Sequence, residues 1–246
     1  MATSLAAFRA LEAEGVSIAH ADYVAGHSLG EYSALAIAGA FSIGDAARLL
    51  RTRGEAMQKA VPVGVGAMAA LLGLDFVAAT AVAQEAAQGD ICQAANDNDP
   101  GQVVVSGHKA AVERAVDIAK ANGAKRAVIL PVSAPFHCAL MAPAADVMQA
   151  ALADVTIHNP SIPVIANVRA QAVSDADMIR ALLVEQVTGS VRWRESVEFM
   201  GANGITDMWE IGAGKALSGM VRRINRDITC QAVGTPEDVT AAAASL

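Results

Sequence analysis

The chain has 246 residues, of which 54% are hydrophobic and 17% are charged, so its composition excludes an intrinsically disordered protein and its length allows a substantial core. The net charge of −7 argues against nucleic acid as a partner, and no apolar run approaches the ~20 residues that cross a bilayer, so we expect no membrane partner. The three cysteines are widely spaced, which indicates a reducing cytoplasm and neither a disulfide framework nor a zinc site.

Apolar periodicity and turn residues predict alternating helices and strands. The predicted helices are 4–15, 31–38, 42–60, 75–87, 109–122, 140–153, 175–187, 193–203, 215–225 and 236–245, and the predicted strands are 23–25, 67–73, 91–96, 102–106, 125–132, 163–168, 207–211 and 229–233. The β-α-β-β-α-β order inside residues 63–133 indicates a ferredoxin-like subdomain. Residues 1–62 and 134–246 are expected to form an α/β core with a mostly parallel sheet that is covered on both faces.

The most informative motif is a G-x-S-x-G at residues 26–30, between a predicted strand and a predicted helix. This is the context of a nucleophile elbow, a sharp turn that presents a serine at a helix N-terminus. We expect both glycines, Gly26 and Gly30, to be required because neighbours with side chains would clash in so tight a turn. The motif predicts Ser28 as a nucleophile and the Leu29 N–H as an oxyanion donor. The alternative is a glycine-rich turn with a passive serine.

A second feature is an arginine in an apolar stripe of the helix predicted at 42–60. Arg53 lies at the middle of that stripe, which is formed by Ala46, Leu49, Leu50, Met57 and Ala60. A buried charge needs a partner. Two interpretations stay open from the residues alone: a structural salt bridge to a core carboxylate, or a clamp for an anionic substrate group through two parallel hydrogen bonds.

A serine nucleophile needs a general base because its hydroxyl is almost un-ionised at neutral pH. His137 is favoured because it follows a strand that returns to the main sheet, with a structural histidine as the alternative. His27 adjoins the serine and is expected to point away from it, while His20 and His158 are expected at the surface. No acid has motif context, so a Ser-His dyad oriented by a backbone carbonyl is favoured over a triad.

The motif Gly212-x-Gly214-Lys215 lacks the spacing of a P-loop and the third glycine of a dinucleotide fingerprint. We therefore interpret it as a tight strand-to-helix turn. No group of His, Cys and carboxylate residues has the spacing of metal ligands. The sequence predicts neither a cofactor site nor a metal site.

The chain resembles the malonyl-CoA:acyl carrier protein transacylases of bacterial fatty-acid synthesis. The matching stretches are spread over nearly the whole chain: Ala25–Leu35, Arg53-Gly-x-x-Met57-Gln58, Gly66–Ala69, Ala94–Asn98, Gly101–Gly107, Ser133–His137, and Glu210–Lys215. The resemblance implies a hydrolase-like α/β core with an inserted ferredoxin-like subdomain, in agreement with the element order. It also implies malonyl-CoA and the acyl carrier protein as substrate and partner.

The resemblance implies a role for each matching residue. Ser28 matches the nucleophile that becomes malonylated, His137 the general base, and Leu29 one oxyanion donor. Arg53 matches the arginine that holds the malonyl carboxylate. Gln186 matches the position whose backbone carbonyl orients the histidine. Such a protein transfers the malonyl group from malonyl-CoA to the phosphopantetheine thiol of the carrier through malonyl-Ser28.

The residue before the histidine and the charged surface add two expectations. Phe136 resembles the malonyl-selecting pattern of the family rather than the branched-acyl one.

Carrier proteins of this kind are acidic, so docking on an acidic chain requires a local basic patch. The candidate patches are Arg48, Arg51 and Lys59; Arg192 and Arg194; and Arg222, Arg223 and Arg226. A solvated helix face is the alternative for each patch.

The chain departs from the family pattern before Ser28. The family begins with a strand and a Gly-Gln-Gly-Ser-Gln turn, whose last glutamine supplies a second oxyanion N–H, and nothing like it precedes Ser28. The resemblance therefore implies an N-terminally truncated chain. We expect weak or no activity, because losing one oxyanion donor costs ~10²–10³ in rate. We also expect poor solubility, because losing a core strand leaves a sheet edge and apolar surface exposed. The alternatives to the transacylase are a serine esterase or thioesterase and an inactive truncated form.

Overall fold

A computed structural model describes all 246 residues of the chain. The α-helices are α1 (Ala2–Ala13), α2 (Leu29–Ile37), α3 (Ile43–Ala60), α4 (Phe76–Ala87), α5 (Lys109–Ala121), α6 (Ala142–Ala153), α7 (Ala176–Thr188), α8 (Trp193–Ala202), α9 (Ala216–Ile224) and α10 (Pro236–Ala243). The strands are β1 (Val24–Ala25), β2 (Gly66–Leu72), β3 (Cys92–Asp99), β4 (Gln102–His108), β5 (Arg126–Ile129), β6 (Val164–Ala166), β7 (Gln171–Val173), β8 (Asp207–Ile211) and β9 (Thr229–Val233). All the predicted helices and strands are present, with their ends shifted by a few residues. None of the helices is both long enough and apolar enough to span a bilayer.

The chain divides into two compact units. The first unit contains residues 1–47, 157–179 and 194–246, and the second contains residues 48–156 and 180–193. The ferredoxin-like elements β2 to β5 all belong to the second unit. The subdomain limits that the sequence predicts at residues 63 and 133 stay a prediction.

The second unit is built on an antiparallel sheet with the strand order β3-β4-β2-β5. The helices α4 and α5 connect its strands in the order β-α-β-β-α-β, so the ferredoxin-like arrangement is confirmed. Pro100 and Gly101 form the turn between β3 and β4. The core lies between the sheet and the two helices, where small alanines let the helices approach closely, and it includes Leu71, Val82, Ala83, Val103, Val105, Val112 and Ala115.

The first unit contains two short sheets. In one, β1 pairs in parallel with β6, and β6 pairs antiparallel with β7. In the other, β8 pairs in parallel with β9. Two of these three pairings are parallel, as predicted, but the strands form two separate short sheets instead of the single sheet that the sequence predicts. The strand β7 was not predicted, because it has only three residues and follows β6 after a short turn in which Ala170 adopts a φ of 52°.

The first and last helices complete the first unit. In α1, Leu5, Phe8 and Leu11 are buried on one face at a spacing of three residues. Leu11 belongs to a core cluster with residues of the β9 strand and of α10, namely Val233, Val239 and Ala242. The helix therefore forms as an amphipathic element whose apolar stripe is covered by the C-terminal part of the chain.

Candidate active site

The elbow lies in the first unit, between the end of β1 at Ala25 and the start of α2 at Leu29. Ser28 adopts a φ of 53° and a ψ of −108°, a strained conformation that is uncommon for a residue with a side chain. A Cβ on Gly26 would lie 2.1 Å from the backbone of Gly30, so only glycine fits there. The same expectation is wrong for Gly30, because a Cβ at that position meets no heavy atom within 4 Å and points into open space.

The helix N-terminus at the elbow presents the Leu29 amide. In α2, the N–H of Gly30 donates to the His27 carbonyl at 2.9 Å and the N–H of Glu31 donates to the Ser28 carbonyl at 3.1 Å. Leu29 occupies the first helical position, where an α-helix leaves N–H groups without intrahelical acceptors and favours negative charge. The arrangement suits stabilisation of an oxyanion that develops next to Ser28.

One asparagine spans the elbow, and the sequence reasoning missed it. The Ser28 N–H donates to Asn167 Oδ1 at 2.7 Å, and Asn167 Nδ2 donates to the Gly26 carbonyl at 2.8 Å. The Asn167 N–H donates to the carboxylate of Glu31 at 3.2 Å, and both residues are buried. No motif surrounds Asn167. The signal that could have found it is a polar residue directly after the apolar strand β6, since the ends of parallel strands carry functional groups.

The candidate base lies in the second unit, in the loop between β5 and α6. His137 is buried and adopts a φ of 59°. Its Nδ1 lies 2.9 Å from the carbonyl oxygen of Gln186, which can only accept a hydrogen bond. The proton of the neutral ring is therefore on Nδ1, which makes Nε2 the ring nitrogen that can accept a proton. Gln186 lies in the last turn of α7, where helix carbonyls lack intrahelical donors.

The arginine at the middle of the α3 stripe belongs to the second unit as well. Arg53 is 6% exposed, so its predicted burial is confirmed. Its Nη2 donates to Oε1 of Gln186 at 3.0 Å. Gln186, which is fully buried, therefore contacts both candidate residues, the histidine through its backbone and the arginine through its side chain. The sequence reasoning had assigned only the backbone contact. A neutral amide partner fixes a guanidinium without neutralising its charge.

Of the residues on either side of His137, Phe136 is partly buried and Cys138 is buried. Phe136 packs against a small apolar cluster of Met68, Ala95 and Val104. The thiol of Cys138 donates to the carbonyl of Pro135 at 3.2 Å, and burial raises the pKa of this thiol. A thiol that stays protonated is a poor nucleophile, so Cys138 does not compete with a serine.

Three other sequence predictions can be compared with the structure. His20 and His158 are exposed, as predicted. The Gly212–Lys215 stretch is confirmed as a strand-to-helix turn, and the Glu210 carboxylate accepts the N–H of Ser218 at the start of α9 at 2.7 Å.

Comparison with known proteins identifies the family. A family model described as an acyl transferase domain matches residues 1–227. The chain belongs to the acyl transferase family. Its curated relatives in that family include the malonyl CoA-acyl carrier protein transacylase of Escherichia coli strain K12, which is 49% identical over 89% of this chain and 71% of the relative. The enzyme of the same name from Bacillus subtilis strain 168 is 44% identical over 100% of this chain and 77% of the relative.

Solved structures of acyl transferases share the fold. The acyl-carrier-protein-S-malonyltransferase of Bartonella henselae has a TM-score of 0.96 and 53% identity, over 99% of this chain and 78% of that one. A malonyl-transacylase in complex with its type II PKS acyl-carrier protein has a TM-score of 0.96 and 43% identity, over 100% of this chain and 79% of that one. The resemblance read from the motifs is therefore confirmed, and with it the fold class of a hydrolase-like core with a ferredoxin-like subdomain.

Proposed function

We propose that this chain transfers a malonyl group from malonyl-CoA to the phosphopantetheine thiol of acyl carrier protein through a malonyl-Ser28 ester. The observation that carries the proposal is the double contact of Gln186, which holds a candidate base and a buried arginine from one turn of α7. An esterase needs the oriented histidine and has no use for a buried cation beside it. A malonyl transferase needs both, because its substrate carries a carboxylate as well as a thioester.

In the first half-reaction, His137 Nε2 removes the hydroxyl proton of Ser28 while Ser28 Oγ attacks the thioester carbon of malonyl-CoA. The carbonyl oxygen becomes an oxyanion and accepts a hydrogen bond from the Leu29 N–H. The C–S bond then breaks, and His137 returns its proton to the departing CoA thiolate. The products are free CoA and the malonyl ester of Ser28. The negative end of α7 stabilises the imidazolium that exists between the two proton transfers.

In the second half-reaction, the phosphopantetheine thiol of the carrier protein takes the place of CoA. His137 removes the thiol proton, sulfur attacks the ester carbon, and Ser28 leaves with the proton that His137 returns. No cofactor takes part beyond the two thiol-bearing substrates, and the reaction belongs in the cytoplasm.

Arg53 supplies the selectivity of the proposed reaction. A guanidinium binds a carboxylate through two parallel charge-assisted hydrogen bonds, so malonyl groups are preferred over acetyl groups, which have no carboxylate. Burial strengthens this preference, because few water molecules compete for the cation.

A basic surface for the carrier protein is offered by the end of α9 in the first unit. Arg222, Arg223 and Arg226, together with Gly219, line a cavity of about 730 Å³. These three cations surround one concave site. We assign it to the acidic carrier.

The test is the intact mass of the purified chain after it is mixed with malonyl-CoA, followed by addition of the phosphopantetheinylated carrier. We expect a gain of one malonyl group that Ser28→Ala abolishes and that the carrier removes as malonyl-carrier. Release of malonate to water without carrier would identify an esterase instead. A folded chain that gains no mass would contradict the proposed activity.

A further inference from the structure

We infer that Asn167 is a positioning residue that holds the Ser28 nucleophile in its reactive conformation. The inference rests on the proposed function, in that it takes Ser28 as the residue that becomes acylated. It adds a residue that no sequence motif indicated, 139 positions after the serine.

The side-chain amide of Asn167 closes the elbow by two hydrogen bonds of opposite direction. Its Oδ1 accepts the Ser28 N–H at 2.7 Å, and its Nδ2 donates to the Gly26 carbonyl at 2.8 Å. The Gly26 carbonyl lies at the start of the turn and the Ser28 N–H at its apex, so the two contacts tie the start of the turn to its apex. A primary amide is suited to this task because it offers an acceptor and a donor side by side, which neither an ionised carboxylate nor an aliphatic side chain does.

The conformation that Asn167 holds is one that needs support. Ser28 has a φ of 53°, and backbone strain of this kind persists only where the surroundings over-determine it. The bond from Asn167 also engages the Ser28 N–H, while the N–H groups of Gly30 and Glu31 donate to backbone carbonyls of the turn. Asn167 therefore contributes to leaving the Leu29 N–H as the elbow amide that faces a developing oxyanion.

Asn167 is itself fixed by the strand and the helix that flank the elbow. The parallel register of β1 and β6 pairs Ala25 with Ile165, so Asn167 lies two residues past a strand position that is bonded to the elbow's own strand. Its N–H donates to the carboxylate of Glu31 at 3.2 Å, and Glu31 is 2% exposed. The elbow, the end of β6 and the first turn of α2 thus form one hydrogen-bonded unit.

The variants Asn167→Leu and Asn167→Asp test the inference in single-turnover acylation by malonyl-CoA, with the rate constant and the half-saturating concentration measured separately. We expect Asn167→Leu to lower the acylation rate constant by about 10²-fold with little change in half-saturation, because the nucleophile is displaced and the substrate pocket is not. Asn159→Ala is the matched control. The Asn159 side chain also accepts a backbone N–H in the same unit, that of Ala176 at the start of α7, at 2.9 Å.

The variant Asn167→Asp makes the relative acylation rate depend on pH, which a merely structural role of residue 167 would not do. Ionised Asp keeps the acceptor for Ser28 and loses the donor to Gly26, whereas protonated Asp restores the donor. Glu31, the carboxylate in contact with residue 167, disfavours the ionised form. We therefore expect the ratio of the variant rate to the wild-type rate to rise as pH is lowered, and this ratio cancels the titration of the base that both proteins share.

Wild-type acylation rates in both variants, or a loss confined to half-saturation, would overturn the inference. A pH-independent rate ratio in Asn167→Asp would overturn it even if Asn167→Leu does not fold. Ser28→Ala distinguishes a failure of the proposed nucleophile from a failure of the role inferred for Asn167. Acylation that persists in Ser28→Ala refutes the proposed nucleophile and the inference together. Acylation lost in Ser28→Ala and unchanged in the Asn167 variants refutes the inference alone.

Discussion

The double contact of Gln186 allows the malonyl-binding role of Arg53 to be tested without touching the arginine. Gln186→Ala removes the Oε1 that accepts from Arg53 at 3.0 Å and keeps the backbone carbonyl that lies 2.9 Å from His137. A hydrogen bond to a charged group contributes about 1.5–3 kcal/mol, which corresponds to about 10- to 150-fold in rate. We expect a loss of this size in kcat/KM for malonyl-CoA, because the guanidinium loses the hydrogen bond to Oε1, and little loss for acetyl-CoA.

Gln186→Glu makes the test sharper. Glutamate has the same length as glutamine and keeps an oxygen beside the guanidinium, and it adds a negative charge in a fully buried position. That charge pairs with Arg53 and competes with the substrate carboxylate for the same donors. We therefore expect a larger loss for malonyl-CoA in Gln186→Glu than in Gln186→Ala, although the glutamate variant preserves more of the native geometry.

The assay is rapid-quench acylation followed by intact mass, with malonyl-CoA and acetyl-CoA in parallel and with thermal melts as a control for folding. Equal losses for the two substrates would show that the side chain acts on the histidine or on the fold. Gln186→Glu with native malonyl selectivity would show that Arg53 has only a structural role. Either result would refute the reasoning that links the buried arginine to the substrate carboxylate.

Three further predictions concern the turn, a thiol and the docking surface. Gly26→Ala should abolish acylation, because its added Cβ collides with the backbone of Gly30, and mass labelling checks this. Gly30→Ala should keep acylation and leave the free energy of unfolding unchanged or raise it by up to about 1 kcal/mol, because its Cβ points into open space on a helix; circular dichroism melts check this. Burial raises the pKa of Cys92 to about 11 from 9.0, so as pH rises the unfolded state loses this proton before the folded state does. The free energy of unfolding, measured by urea melts, should therefore fall between those two pH values, and it should fall less steeply in Cys92→Ala. Arg222→Glu should slow transfer to the carrier protein and leave acylation by malonyl-CoA unchanged. A transfer rate equal to that of the wild-type protein would contradict the docking assignment.

The features that sequence reasoning could predict are those encoded locally. The strand-turn-helix context of Ser28 lies within a few residues of the chain, and the buried face of α3 follows from the spacing of its apolar residues, so the elbow and the burial of Arg53 were both predictable. The order of the ferredoxin-like elements was readable for the same reason, because each element has its own periodicity and its own turn residues.

The contacts that complete the two groups of site residues are encoded between distant parts of the chain. Asn167 reaches Ser28 only because β6 pairs in parallel with β1, and a register between strands so far apart leaves no periodic mark in the sequence. The side-chain contact of Gln186 with Arg53 spans 133 positions and was missed for the same reason. The steric freedom of Gly30 was mispredicted because the direction of a Cβ depends on the helix that follows, and not on the width of the turn.

Backbone strain gives an independent argument about which residues matter. Among the residues with side chains, four have a positive φ: Ser28, Gln88, His137 and Ala170. Two of these four are the proposed nucleophile and the proposed base. Each of the two is held by a polar group from a distant segment, Ser28 by a side-chain amide and His137 by a helix carbonyl. A passive turn serine or a packing histidine has no need of a strained backbone with a dedicated partner, so the same geometry that costs stability favours the catalytic interpretation of both residues.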